Sequence, residues 1–224
     1  MNSHNTSSAK PKRIAIIYNP FAGRGLATKI AKKAERFAKQ KGWQILANIQ
    51  SEYAGHIENE LASKYADETD LIILIGGDGT LRELIAGLRK NNHHTEIAFI
   101  PMGNANVVAR ELNIPLKPEL ALKMLESSTI MLVDIGILDI NPVKDINATK
   151  QQSMIFLAML EIGFGAKIVH MVNQLRSGKL HRLYSLWGDI VYAIAGIFAF
   201  IQKDSDAIEV EQNKQKAKSK HIVV

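Results

Sequence analysis

Three glycine-bearing turns hold the residues whose types and spacing are suited to chemistry. The most informative is Gly76-Gly77-Asp78-Gly79-Thr80. Glycines at 76, 77 and 79 permit positive φ and leave no Cβ in the way of a close-approaching phosphate. A helix starting beyond the turn supplies unpaired amides and a positive dipole end for an anion. Asp78 puts a carboxylate into the same nest. Carboxylate and phosphate repel unless a cation or a hydroxyl stands between them, so the functional reading gives Asp78 a hold on Mg²⁺, direct or through water. Thr80 either caps the helix or bonds a phosphate oxygen. The plainer alternative is a tight turn that Asp78 merely caps.

The second turn runs from Asn19 to Gly25. Asn19 can bond a backbone carbonyl across the turn or a nucleotide, and Arg24 either neutralises phosphate charge or sits solvated. The third runs from Pro101 to Asn106. Gly103 lets the backbone approach a ligand, and the amides of Asn104 and Asn106 both donate and accept. Asn106 can equally cap the helix that follows.

These turns need strands to hold them. Arg13 to Tyr18 (RIAIIY) has the β-branched run and flanks of a buried strand, and Leu71 to Ile75 (LIILI) is uniformly apolar, as in a sheet covered on both faces. Trp43 to Ile49 and Ile97 to Ile100 complete a set of four. Helical spacing follows at Leu26, Ile30, Ala34, Phe37 and Ala38, then at His56 to Tyr65, Leu81 to Lys90, from near Asn106, and at Glu119 to Glu126. A further strand is predicted over Ile130 to Ile140. Alternation of strand and helix implies a mainly parallel sheet with right-handed crossovers. In such a sheet ligands bind at the carboxyl ends of the strands, where the three turns fall.

Beyond Ile140 the pattern changes: a polar stretch to Gln152, a strand at Met154 to Ile162, and two helical stretches reaching Ile201. Short strands are predicted at Ala207 to Val210 and His221 to Val224. Leu183 to Ile201 is the most apolar region, but Asp189 and two glycines interrupt it and it reads as a packed helix, not a membrane span.

Composition narrows the function class. The chain has 224 residues, 46% of them hydrophobic, and no cysteine, which excludes disulfides, thiolate metal sites and cysteine nucleophiles. The formal charge is +6, and ten Lys or Arg against the single acid Glu35 lie between Lys10 and Lys41. That field favours an anionic partner such as nucleotide phosphate or an acidic lipid surface. No RNA-binding signature or aromatic platform is present, so nucleic acid is not an expected partner. His56, His93 and His94 have no partner at metal-ligand spacing and read as solvated.

IIYNPFAGRG (16–25), SEYAGH (51–56), GGDGTLRELIAGL (76–88) and IPMGNANVVARELNIP (100–115) resemble, in order and spacing, the diacylglycerol kinase catalytic domain shared with sphingosine kinases and bacterial lipid kinases. GGDGT alone also occurs in NAD kinases and phosphofructokinases; GNANVVAREL is the specific part. The resemblance implies a two-domain kinase with ATP and Mg²⁺ in the cleft, passing the γ-phosphoryl group to a hydroxyl of a diacylglycerol- or sphingoid-like lipid. By position Ser51 matches a nucleotide-contacting Thr, and Asn104 matches another. Gly76, Gly77, Asp78, Gly79, Thr80, Leu81 and Arg82 match the phosphate loop. Asn104 departs from the usual Thr or Ser, Arg82 stands where Asn is common, and Gly165 where Asp is common.

Residues 154–201 are similar to the start of the family's β-rich lipid-binding domain. Family members continue through an acidic DG-containing segment thought to supply the general base. The sequence ends at Val224 without it, so the resemblance leaves the base unassigned and predicts an incomplete second domain. The expected organisation is a disordered lead-in over 1–11, a Rossmann-like nucleotide-binding domain over 12–140 and a partial lipid-substrate domain over 141–224. The expected setting is cytoplasmic, peripheral at the inner membrane surface, with a homodimer admitted. Two rival readings stay open: a nucleotide-binding remnant without kinase activity, and an NAD-kinase-like enzyme.

Overall fold

The computed structural model describes residues 12–127, 129–140 and 152–158, which all fall in one compact unit. Its centre is β3 (Leu71–Gly76), where Ile72, Ile73, Leu74 and Ile75 are wholly buried. Such a strand needs neighbours on both edges and cover on both faces. It has β1 (Arg13–Tyr18) on one side and β4 (Glu96–Pro101) on the other, both parallel, and β2 (Gln44–Gln50) lies outside β1. The order β2-β1-β3-β4 is that of an open, doubly wound α/β sheet, as the strand–helix alternation predicts. The direction in which successive strands are added reverses between β1 and β3, and this is the switch point at which such folds bind ligands.

The helices cover the sheet in two groups. α1 (Ala27–Gln40) buries Ala27, Ile30, Ala31, Ala34 and Ala38 against the strands and touches α5 (Pro118–Met124), whose Pro118 stands at its first turn. Lys33 to Glu119 at 2.6 Å and Lys41 to Glu126 at 3.2 Å tie the basic helix to this second element. Part of the basic face is therefore paired, while Lys29, Lys32 and Arg36 are exposed. α2 (Ala62–Ala66) continues a π-helical turn, Ile57–Leu61, and both pack on α3 (Asp78–Lys90). Because β1 to β2 and β3 to β4 step in opposite directions, right-handed crossovers put these two groups on opposite faces.

Four elements differ from the sequence expectation. α3 begins at Asp78, not Leu81, because Gly77 is extended and serves as the cap, leaving Asp78, Gly79 and Thr80 as the first turn. The helix expected from His56 to Tyr65 opens with a π turn. The strand expected over Ile130 to Ile140 is confined to β5 (Gly136–Ile140), the only part that finds a ladder partner among the described residues. That partner is the antiparallel β6 (Gln152–Phe156), which starts two residues before the expected Met154 and ends at Phe156. The readings for 1–11, 141–151 and 159–224, including the apolar stretch and the last two strands, lie outside the described residues.

Candidate functional site

The carboxyl ends of all four strands are fastened to one another through backbone hydrogen bonds. The Ser51 amide donates to the Tyr18 carbonyl at 2.8 Å, joining the end of β2 to β1. The Asn19 amide donates to Ile75 at 3.0 Å, joining β1 to β3, and the Met102 amide donates to Gly76 at 2.6 Å, joining β4 to β3. The Gly23 amide then donates to the Met102 carbonyl at 2.8 Å, so the first turn reaches across to the third. Asn19, Gly23, Ser51, Gly76 and Gly103 are thus brought to one edge of the sheet.

The glycines do different jobs there, and the positive φ expected at 76, 77 and 79 is not among them. Gly76, Gly77 and Gly79 all have ordinary negative φ, whereas Gly23 and Gly25 are the left-handed ones, at φ +58° and +86°. A Cβ on Gly103 would stand 2.8 Å from the Gly77 Cα, and one on Gly77 would stand 3.0 Å from the Gly103 Cα. The turns after β3 and β4 therefore touch backbone to backbone, and each glycine is required by the other. A Cβ on Gly76 would lie 2.6 Å from the Thr80 side chain, which is buried over it. Gly79 alone of the three faces open space. Nothing in the packing of the described residues explains a glycine here, a residue that costs up to about 1 kcal/mol relative to alanine in a helix. The amides of residues 78–80 have no acceptor among the described residues, so the open side of Gly79 stands beside unpaired donors at a helix start.

Asp78 spans two turns. Its Oδ2 accepts the Val107 amide and its Oδ1 the Val108 amide, both at 3.1 Å. These are the first amides of α4 (Val107–Glu111), so Asp78 caps a helix far from it in sequence. A carboxylate has about four acceptor positions, and each oxygen retains capacity beyond its one amide. No cluster of three or more His, Asp or Glu able to hold a metal occurs among the described residues. Any cation here would rest on Asp78, water and ligand phosphate, the usual arrangement for Mg²⁺ with nucleotides.

Asn106 stands at the N-cap position of α4, but its side chain makes no capping bond. Its Oδ1 accepts the Gly103 amide at 2.8 Å and its Nδ2 donates to the Gly103 carbonyl at 2.9 Å, with its own backbone left-handed at φ 48°. Both ends of the amide are spent on shaping the turn. Asn19 likewise accepts the Phe21 amide on Oδ1 at 3.0 Å, closing an Asx turn. Asn104 and Arg24 are exposed, Arg24 with a left-handed φ of 56°. Leu81 is buried, and its amide closes the first intrahelical bond to Gly77 at 3.0 Å, so it positions the loop from beneath. Arg82 points to Glu58, 3.7 Å away, and not into the turn. Behind the turn lies an apolar cavity of about 220 Å³, lined by Leu81, Ile85, Phe99, Val108, Leu112 and neighbours.

Two histidines correct the expectation of solvation. His56 is 7% exposed and accepts the Glu52 amide on Nδ1 at 3.0 Å. Its ring stacks on Tyr53, whose hydroxyl donates to Glu60. That bond raises the Tyr53 pKa, keeping the hydroxyl protonated as donor. His93 Nδ1 lies 2.8 Å from Asp67. The i, i+4 spacing of His56 and Glu60 was the available signal for the first cluster. Nothing local signals the Gly77–Gly103 contact.

The family model for the diacylglycerol kinase catalytic domain matches residues 13–138. Among curated relatives, a diacylglycerol kinase of Staphylococcus saprophyticus is 26% identical over 204 residues, covering 91% of this chain and 60% of its own. A diacylglycerol kinase of Bacillus subtilis is 36% identical over 105 residues, 46% of this chain and 34% of its own. A Pseudomonas aeruginosa protein named "Probable lipid kinase YegS-like" is 31% identical over 144 residues, 64% and 39% respectively. The crystal structure of a diacylglycerol kinase from Bacillus anthracis superposes with a TM-score of 0.51 at 26% identity, covering 58% of this chain and 44% of the other. The chain thus spans less than two thirds of the length of each of these relatives. With more than half of its residues under the family match, the chain belongs to the diacylglycerol kinase catalytic domain family.

Proposed function

We propose that the chain is the nucleotide-binding part of an ATP-dependent lipid kinase, which transfers the γ-phosphoryl group to a hydroxyl of a diacylglycerol- or sphingoid-like lipid. The observation that carries this reading is Gly79. Among the described residues it is the one glycine of its turn without a packing reason, and it opens onto unpaired amides at the switch point of the sheet.

In this reading the amides of Asp78, Gly79 and Thr80 receive phosphate oxygens, and Gly76, Gly77 and Gly103 keep the two turns close enough to frame them. Leu81 and Arg82 belong to the support of that loop. Asn19 and Asn106 hold their turns in shape, while the direct contacts to the nucleotide fall to Arg24, Asn104 and Ser51. Asp78 fits a water-bridged contact to Mg²⁺ without giving up its hold on α4. Bound Mg·ATP brings the transferable phosphoryl group and the charge that offsets it. The chain's own part is placement: rigid amides at fixed distances, and exclusion of alternative ligand poses. Family membership and the relatives' names support a lipid acceptor, and in this reading the chain meets it at a membrane surface. No helix among the described residues is long and apolar enough to cross a membrane.

Calorimetric titration of the chain with Mg·ATP, followed by transfer of labelled phosphate to diacylglycerol in mixed micelles, tests the reading. Binding with transfer is the expected result. Absence of Mg·ATP binding refutes the nucleotide site, and binding without transfer refutes kinase activity of this chain alone.

A further inference from the structure

The turn that closes β2 has a feature that its backbone does not need. It leaves the strand at Ser51, whose amide is already bonded to β1, and reverses at Gly55 with φ +87°. The reversal swings His56 back beneath its own turn, where Nδ1 accepts the Glu52 amide at 3.0 Å. An accepting Nδ1 carries no proton, so the ring proton sits on Nε2, which faces Glu60 Oε2 at 3.6 Å. Tyr53 covers the ring from one side, 4.8 Å between centroids and 16° from parallel, and is itself held by its bond to Glu60. Three side chains are thus committed to fixing the first amide after Ser51. An isoleucine or leucine would fill the same buried position without constraining that amide.

Sheet order says what the turn faces. Phosphates held at the start of α3 lie over the ends of β3 and β4, and β1 separates them from β2. A nucleotide laid from that point across β1 brings its nucleoside end to the end of β2. We propose that His56 is a positioning residue that fixes the Ser51–Glu52 turn for the nucleoside half of the ligand and so contributes to nucleotide selectivity. The inference rests on the nucleotide-binding reading above.

The test uses the full chain and two ligands, Mg·ATP and Mg·tripolyphosphate, which share phosphates and differ in the nucleoside. His56→Ala is expected to bind Mg·ATP about tenfold more weakly, the usual scale for an uncompensated polar contact, with tripolyphosphate changed by no more than about twofold. In His56→Asn the Oδ1 reaches the place of Nδ1 and restores Mg·ATP to within about threefold of the starting affinity. Tyr53→Phe, at a half-exposed position that does not threaten folding, keeps the ring and loses only the tie to Glu60; it shows a smaller loss confined to Mg·ATP. Parallel loss of both ligands, unchanged affinity for both, or failure of asparagine to rescue would overturn the assignment. Failure of the unsubstituted chain to bind Mg·ATP sinks the nucleotide reading instead. Hydrogen exchange at the Glu52 amide still decides the geometry in that event: faster in His56→Ala but not in His56→Asn supports the positioning role, and an unchanged rate refutes it.

Discussion

Both ends of the same four-stranded sheet are tied through backbone hydrogen bonds, and they differ in what is added: ion pairs at one, glycine-to-glycine contact at the other. At the amino ends the Gln44 amide donates to the Lys12 carbonyl at 2.9 Å and the Asp70 amide to the Arg13 carbonyl at 2.8 Å, and charge is added to these ties. Asp70 accepts the Arg13 amide at 2.7 Å and the Arg13 guanidinium at 3.0 Å, and Lys12 meets Glu96 at 2.5 Å, so β1 is pinned to the starts of β3 and β4 by exposed or half-exposed ion pairs. At the carboxyl ends the ties run from backbone to backbone, with Gly77 against Gly103 where side chains would otherwise stand. Ion pairs at the solvent edge are weak and tolerant of change. Backbone contact is intolerant, because no rotamer can relieve a clash with a Cα. The intolerant end is the one where a ligand's phosphates need fixed amides, and the tolerant end has no such demand.

Gly103→Ala should break that contrast most severely. Its methyl group would meet the Gly77 Cα and the Asn106 Oδ1, each at 2.8 Å, so the third turn must move away from the second. We expect about 3 kcal/mol of destabilisation, at the upper end for overpacking, and loss of Mg·ATP binding, measured by denaturant titration and calorimetry. A variant as stable as the unsubstituted chain would show that the turns are not locked together. Asp78→Ala comes next. It strips the acceptor from two amides of α4 and should cost about 2 kcal/mol besides weakening Mg·ATP. If Asp78→Asn, which keeps one acceptor oxygen, recovers about half of the stability but none of the Mg²⁺ dependence of binding, the capping and cation roles separate.

The legible part of this molecule is what local pattern encodes. β3 is readable because a short β-branched run buried on both faces has few alternatives, and the three turns are readable because glycine clusters end strands. The partners of those turns are not. Asp78 and Val107 are 29 residues apart, and no spacing rule links a carboxylate to a distant helix start. The same holds for Gly77 and Gly103: the sequence shows them as ligand-facing glycines, and nothing local signals that each also makes room for the other. Asn106 reads by residue type as a ligand-facing amide or a helix cap, but it sits in the left-handed region, where its side chain turns back on Gly103. His56 looked solvated because a single histidine after a glycine carries no periodic signal of burial. Ile130 to Ile140 has strand composition throughout, yet composition cannot say which half will find a ladder partner.

Gly79→Ala sharpens the comparison from within the site. Gly79 is the member of the turn with open space beside it, so a methyl group adds no clash and replaces the worst non-proline helix former with the best. Stability should rise by up to about 1 kcal/mol while Mg·ATP affinity falls about tenfold, a trade of stability against binding that Gly103→Ala cannot show. Unchanged affinity would remove the main support for phosphate at this helix start.

The smallest effect belongs at the other end of the sheet. The two hydrogen bonds from Arg13, first the guanidinium and then the amide, hold the Asp70 carboxyl below its ordinary pKa. A depressed folded-state pKa means a contribution that is fully present above the ordinary aspartate range and disappears as pH falls through the lower folded value. Asp70→Asn should therefore lower Tm by no more than a few degrees near neutral pH, since the pair is largely solvated. The gap between variant and unsubstituted chain should close as pH drops below the aspartate range, and Mg·ATP affinity should stay unchanged throughout. A loss of nucleotide binding in Asp70→Asn would mean that strain at the amino ends is transmitted along β1 and β3 to the turns, and that the two ends are not independent after all.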